Sequence, residues 1–215
     1  MKRFKVSEFV TAKEAEVIIQ TCPKTRDKLI LRTMWETGGR VKEVLSLIPD
    51  HIDPINNCIY LENLKQKTDK GKKPPLKRVY LFPESNLIQD LLYYIKENSI
   101  SRENWIFQGK VKTGNRIGQV SPTYIWYLLS SVGRITDRWK RRDGIATTLG
   151  IRKIKGGNLK PAWPHLFRHG AAMNIYHRTQ RLDVTQKQLG HSSIMTTEGY
   201  AELTDDDRKK IINGK

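Results

Sequence analysis

Two histidines, two arginines and a tyrosine stand against the apolar periodicity of the segments that carry them. In Pro164-His-Leu-Phe-Arg-His169, a proline at the first helical position sets His165 and Arg168 three residues apart on one face, while Leu166 and Phe167 turn toward a core. Imidazole and guanidinium then point the same way. An arginine near the amide-rich start of a helix opposes the macrodipole, so its presence there suits a site that receives an anion. Further on, Leu189-Gly-His191 places a histidine just past the natural helix stop Gly190, and Tyr200 follows nine residues after His191. Thr37-Gly-Gly-Arg-Val-Lys-Glu43 delivers Arg40 to the first turn of a helix, with Glu43 one turn on. The loop Lys65-Gln-Lys-Thr-Asp-Lys-Gly-Lys-Lys73 adds a run of lysines suited to steering phosphate. Singly, each feature has a plainer reading: a surface His–Arg pair, a capping histidine, a half-buried tyrosine, a solvated Arg–Glu pair worth little, a solvated loop.

The charge balance favours an anionic partner. The 215 residues hold 39 Lys+Arg against 22 Asp+Glu, a net charge of +17. Such an excess repels itself in the folded state, and a polyanion relieves the repulsion while releasing its condensed counterions. Nucleic acid is the expected partner. With 38% hydrophobic and 28% charged residues, the composition is that of a globular chain and not of a disordered one. Two cysteines, Cys22 and Cys58, without a CxxC spacing, speak against a disulfide scaffold or a cysteine zinc site and for a reducing compartment. Met1 to Phe9 is charged throughout and no apolar run reaches 18 residues, so a cytoplasmic protein is expected.

These residues need elements to position them. Thr11-Ala-Lys-Glu14 is a capping box that starts a helix over about Ala12–Gln20. A second runs from Asp27 to Thr37 until Gly38-Gly39 stops it, and a third covers about Val41–Leu47. The period then changes: Cys58–Leu61 and Val79–Phe82 read as the strands of a hairpin around the lysine loop. Pro83-Glu-Ser85 opens a helix through Leu87, Ile88, Leu91, Leu92 and Ile95, and Ser121-Pro122 opens another through Tyr124, Ile125, Leu128 and Leu129. Gly109 to Gly118 reads as an exposed loop and Arg141 to Lys160 as a basic connection. The last group comprises helices over His165–His177 and Val184–Leu189, a turn around Ile194–Tyr200, and a helix at Asp205–Ile212. The fold class is mostly α with a small antiparallel β-hairpin or sheet, an α+β domain.

In order and spacing, Gly39-Arg-Val-Lys-Glu43, His165-Leu-Phe-Arg168-His169, Leu189-Gly-His191 and Tyr200 closely resemble the signature of the tyrosine recombinase (phage integrase) family. The resemblance covers about Val10 to Leu203, the extent of that family's catalytic domain. Carried over residue by residue, it implies the catalytic set Arg40, Lys67, His165, Arg168, His191 and Tyr200. Lys67 is chosen because Lys-Thr at the end of the first strand resembles the family's hairpin, although Lys65, Lys70 and Lys72 share the loop. The implied roles meet the needs of cleaving a phosphodiester without metal. Arg40 and Arg168 bind the nonbridging oxygens, since a guanidinium donates two parallel bonds and stays charged. Tyr200 attacks; with an unperturbed pKa near 10 it is only about a thousandth ionised at neutral pH and needs a proton acceptor and cationic neighbours. His165 is that acceptor, or a donor to the phosphate, with His191 beside it. Lys67 is the acid toward the departing 5′-oxygen. Glu43 is a structural partner of the cluster, and His169 a core hydrogen-bonder.

The resemblance further implies site-specific recombination of double-stranded DNA through a 3′-phosphotyrosyl intermediate, for integration, excision or dimer resolution. It implies no metal or other cofactor, no ATP, no small-molecule substrate and no membrane, and a homotetramer assembled on two DNA sites in a prokaryotic cell or its mobile elements. The expected organisation is an extension at residues 1–9, a catalytic domain at 10–203 with a basic insertion near 138–160, and a C-terminal helix or tail at 204–215. Family members usually carry an N-terminal domain that clamps the other face of DNA, so the sequence corresponds to a fragment or a minimal form. Type IB topoisomerases and telomere resolvases use a similar constellation, but the spacing from Leu-Gly-His to Tyr favours the recombinase branch. A catalytically silent DNA-binding regulator and a metal nuclease built on His165, His169, His191 and Asp205–Asp207 are the readings from other classes.

Overall fold

The computed structural model describes residues 10–64, 74–113, 116–129 and 163–190. Helix α1 (Ala12–Thr21) begins at the capping box: Glu14 N–H donates to Thr11 Oγ1, and the Glu14 carboxylate accepts the Thr11 N–H at 2.7 Å. Helix α2 (Thr25–Thr37) is the central element, because Leu29, Ile30, Leu31 and Met34 are all buried and α1 packs along it. It ends at Gly38, whose φ of +61° lies in the left-handed region that costs an L side chain energy. Helix α3 (Val41–Leu45) follows at once and packs on α2. It is shorter than the expected Val41–Leu47, because Ser46 N–H and Leu47 N–H close the last turn onto Lys42 and Val44 carbonyls.

A single turn of 3-10 helix at Pro49–His51 leads to a three-stranded antiparallel sheet of β1 (Ile52–Asp53), β2 (Cys58–Glu62) and β3 (Leu76–Tyr80), in that spatial order. Ile59 faces Val79 and Leu61 faces Lys77. The expected hairpin is present with a third strand, β1, that is too short to show alternation. Strand β3 also starts three residues before the expected Val79. Its charged pair Lys77-Arg78 hides the period-two pattern in which Lys77 and Val79 share the inner face.

The segment read as an exposed loop, Gly109 to Gly118, is instead a second antiparallel hairpin of β4 (Gln108–Thr113) and β5 (Arg116–Gln119), with Gln108 opposite Gln119. Backbone pairing forms it from a sequence, Gln-Gly-Lys-Val-Lys-Thr, that lacks a sustained apolar alternation, which is why periodicity pointed to a loop.

Helix α4 (Leu87–Glu97) packs on α2, capped at Asn86, one residue past the expected opening at Ser85. A further helical run, α5 (122–129), precedes α6 (Pro164–Thr179) and α7 (Leu182–Leu189). Helix α6 lies along α2, with Phe167 edge-on to Trp35 at 5.3 Å between ring centroids. The buried Asp27 carboxylate accepts from Arg26 at 2.9 Å and from the Tyr124 hydroxyl at 2.6 Å, and Arg26 also donates to the Gln108 carbonyl, so α2, α5 and β4 share one polar tie. No helix among the described residues is long and apolar enough to cross a membrane. The extension at 1–9, the basic insertion at 138–160, the turn at 194–200, the helix at 205–212 and the tail at 204–215 all lie outside the described residues.

Candidate active site

Arg40 is the N-cap of α3, so its backbone is extended and its N–H is left without a helical partner. Glu43, at the third helical position, returns to take that N–H at 3.0 Å through Oε2 and holds the Arg40 guanidinium at 2.5 Å through Oε1. This is the glutamate half of a capping box; an arginine in the cap position has no acceptor to return the bond. The Glu43 side chain has no solvent exposure, whereas Arg40 keeps 22% of its own. The carboxylate is thus a buried anchor and the guanidinium reaches outward from it.

Two more cations meet the same carboxylate. Lys77, on the inner face of β3, stands 3.1 Å from Glu43 Oε2, and Arg168, on α6, stands 3.9 Å from it. Burial alone would raise the Glu43 pKa, but the Lys77 charge together with the Arg40 N–H and guanidinium carries it below the usual carboxylate value of 4.5. Lys77 itself is lowered from 10.5 to about 8, chiefly by burial, while the Glu43 charge resists and the Arg168 and Arg40 charges add to the fall. Arg168 is only 7% exposed. Its guanidinium donates to the Gly38 carbonyl and, at 2.8 Å, to the Leu189 carbonyl. Those are the C-terminal ends of α2 and α7, where unsatisfied carbonyls carry the negative pole of the helix. The arginine misplaced at the start of its own helix is therefore placed well for two others.

His165 is the second residue of α6 and His169 lies one turn on; their Nε2 atoms are 2.8 Å apart. Burial, then the neighbouring His165 and Arg168, lowers the His169 pKa from 6.5 to about 4. His169 is therefore neutral near pH 7; expected as a core hydrogen-bonder, it is half-buried and makes its ring contact with His165. Of the six residues expected to do chemistry, Arg40, His165 and Arg168 are described. The two arginines come together on Glu43, and His165 shares the first turns of α6 with Arg168. Lys67, His191 and Tyr200 lie outside the described residues, although the carbonyl of Leu189, two residues before His191, is bonded to Arg168. The residue that sequence reasoning missed is Lys77. Its signal is a lysine two positions before Val79 on the inner side of a strand, and the adjacent charge of Arg78 masks it.

Counting Arg40, Arg168 and Lys77 against Glu43 leaves this cluster two positive charges. A net positive cluster of this kind suits an anion whose negative charge grows along a reaction, as that of a phosphodiester does. Among the described residues, no three histidine, cysteine or acidic side chains are grouped for a metal ion.

The model of the phage integrase family matches residues 8–207, nearly the whole chain. The chain belongs to the phage integrase family. Among the relatives of this integrase-family chain is a resolvase of Escherichia coli, 28% identical over 207 residues that span 91% of the chain and 74% of that protein. Tyrosine recombinase XerH of Campylobacter jejuni is 27% identical over 98% of the chain and 52% of its own length. The transposase A of transposon Tn554 from Staphylococcus aureus is 30% identical over 94% of the chain and half of its own length. The integrase-family chain thus spans about half the length of several curated relatives it matches. The crystal structure of XerA recombinase superposes with a TM-score of 0.67 at 21% identity, covering the whole chain and 66% of that structure. XerH bound to a palindromic difH substrate in a post-cleavage complex gives 0.65 at 18%, over 97% of the chain and 53% of that structure. The fold of this integrase-family chain is that of a tyrosine recombinase catalytic domain, helix-rich with a small antiparallel sheet, as the sequence led one to expect.

Proposed function

We propose that this chain breaks and rejoins DNA strands as a site-specific tyrosine recombinase, with Tyr200 as nucleophile. The Tyr200 phenol oxygen forms a bond to the phosphorus while the bond from phosphorus to the 5′-oxygen breaks. The phenol proton passes to an acceptor, His165 in this reading, and the departing 5′-oxygen takes a proton from an acid, for which Lys67 is the choice. The products are a 3′-phosphotyrosyl chain and a free 5′-hydroxyl. Attack by the 5′-hydroxyl of another strand reverses the step and reseals the backbone. The energy of the phosphodiester stays in the covalent link, so neither ATP nor a divalent metal enters the balance.

The observation that carries this reading is the gathering of Arg40 and Arg168 around the buried Glu43, beside the end of α7 that leads in sequence to His191 and Tyr200. Arg40 and Arg168 bind the nonbridging oxygens, and His191 assists His165. Relatives solved with DNA, XerH on its difH substrate and the Tn1549 integrase on transposon-end DNA, support double-stranded DNA as the partner. A cytoplasmic homotetramer on two DNA sites completes the reading, since exchange needs two duplexes cut in both strands. The organisation at 10–203, with terminal extensions and a basic insertion, belongs to the same proposal.

The test uses a duplex nicked close to the cleavage site, so that the short product diffuses away and traps the enzyme. With EDTA present, the chain is expected to give a protein–DNA band that resists denaturant and is absent in Tyr200→Phe. A band that needs a divalent metal, or that persists in Tyr200→Phe, overturns the proposal.

A further inference from the structure

Lys77 holds two groups of the site at once. Its Nζ lies 3.1 Å from Glu43 Oε2 and donates to the Leu189 carbonyl at 3.1 Å, the same carbonyl that Arg168 takes at 2.8 Å. The side chain is 10% exposed. Its stem also covers Gly190: a Cβ on that glycine would stand 3.1 Å from Lys77 Cδ. Three residues along the strand, Tyr80 N–H donates to Gln188 Oε1 at 3.1 Å and the Tyr80 carbonyl accepts from Gln188 Nε2 at 2.6 Å, so an amide side chain completes the open edge of β3. Strand β3 therefore grips the last turn of α7 at two points, of which Lys77 is the charged one.

We propose that Lys77 is a positioning residue for strand transfer: bridging Glu43 and the Leu189 carbonyl, it fixes the arginine cluster relative to the end of α7, from which the chain continues to His191 and Tyr200. The role rests on the recombinase reading above, and it is distinct from that of a proton donor. The charged groups facing Lys77 are Glu43 of α3, Arg40 at the α3 N-cap and Arg168 of α6; from α7 it meets a carbonyl. Near neutral pH the lysine is charged and the bridge is closed. Above pH 8, where burial and the two arginines bring its proton off, the tie to Glu43 weakens.

Two variants and a sulfur substrate separate positioning from acid catalysis. Lys77→Met is expected to slow single-turnover cleavage ten- to hundredfold while DNA affinity changes less than threefold. Lys77→Arg keeps a charge and two donors and is expected to restore cleavage to within about fivefold of wild type, which a group unable to release a proton near neutral pH could not do as an acid. Wild type should lose cleavage on the alkaline side with a midpoint near pH 8, and Lys77→Arg should not. A substrate with sulfur in place of the bridging 5′-oxygen, which needs no acid, should leave the Lys77→Met defect in place. Rescue of Lys77→Met by sulfur with a dead Lys77→Arg overturns the proposal and makes Lys77 the acid; full activity in Lys77→Met also overturns it. Hydrogen exchange read without DNA keeps the test independent of the recombinase reading: amides of 186–190 should exchange at least tenfold faster in Lys77→Met, or in Lys77→Gln where the methionine variant does not fold. Unchanged exchange sinks the proposal whether or not the chain cleaves DNA.

Discussion

Glu43 is fully buried with three cations around it, so the chemistry of single side chains is most exposed to test there. Glu43→Gln leaves Arg40, Lys77 and Arg168 without a counter-charge, and loss of one partner from a buried ionic group costs about 3–5 kcal/mol; urea denaturation at pH 7 measures it. The pH dependence follows from two shifts. Glu43 has a folded pKa below 4.5, so its contribution is complete above that value and disappears as pH falls through the folded pKa. His169 has a folded pKa near 4 against 6.5, so folding excludes a proton that the unfolded chain binds, and stability falls as pH drops from 6.5 toward 4. His169→Gln should flatten the loss between pH 6.5 and 4 and leave the steeper loss below 4.5. Arg168→Lys replaces a fork that reaches the Gly38 and Leu189 carbonyls by a single ammonium. DNA binding should change little and cleavage should fall by two or more orders of magnitude. An equal loss of both would make Arg168 a binding residue only.

At the scale of elements, the cluster depends on where two helices stop. Helices α2 and α7 both end on a glycine with positive φ, Gly38 at +61° and Gly190 at +65°. Each ending leaves carbonyls that Arg168 takes up. Gly190→Ala is expected to cost about 1–2 kcal/mol from the left-handed backbone alone. Gly38→Ala should cost more, because its Cβ would stand 2.5 Å from Leu189 Cδ2, and denaturant midpoints of the two variants give the order. The ends of α2 and α7 were legible in sequence because glycine after an apolar run is a physical stop signal. So was the helix at Ala12, through its Thr11–Glu14 box. What escaped were β1, which is two residues long, the charged start of β3 and the hairpin β4–β5. All three owe their pairing to backbone and tertiary contact and not to a pattern of apolar side chains. The charged residues at the start of β3, Lys77 and Arg78, are what concealed Lys77.

Over the whole molecule, the net charge of +17 is the property that a DNA-binding reading must use. Each phosphate neutralised makes affinity fall more steeply with salt. Between 50 and 200 mM salt the affinity for a duplex should drop by roughly a hundredfold or more, as it does when four or more phosphates are contacted; fluorescence anisotropy over a salt series checks this. Of the candidate site, the order and spacing of Arg40, His165 and Arg168 were readable in the sequence, since each sits oddly on an otherwise apolar segment. The convergence on one buried carboxylate was not, because it arises from α3, β3 and α6 meeting, and no spacing along a chain encodes that meeting. The central claim is that a phenol oxygen of this chain displaces a sugar hydroxyl from phosphorus. Trapped protein–DNA complex, digested with trypsin and nuclease and sequenced by mass spectrometry, tests it most directly. A nucleotide 3′-phosphate should be found on Tyr200, with a free 5′-hydroxyl on the released strand. The same adduct on any other residue, or a 5′-phosphate linkage, would contradict it.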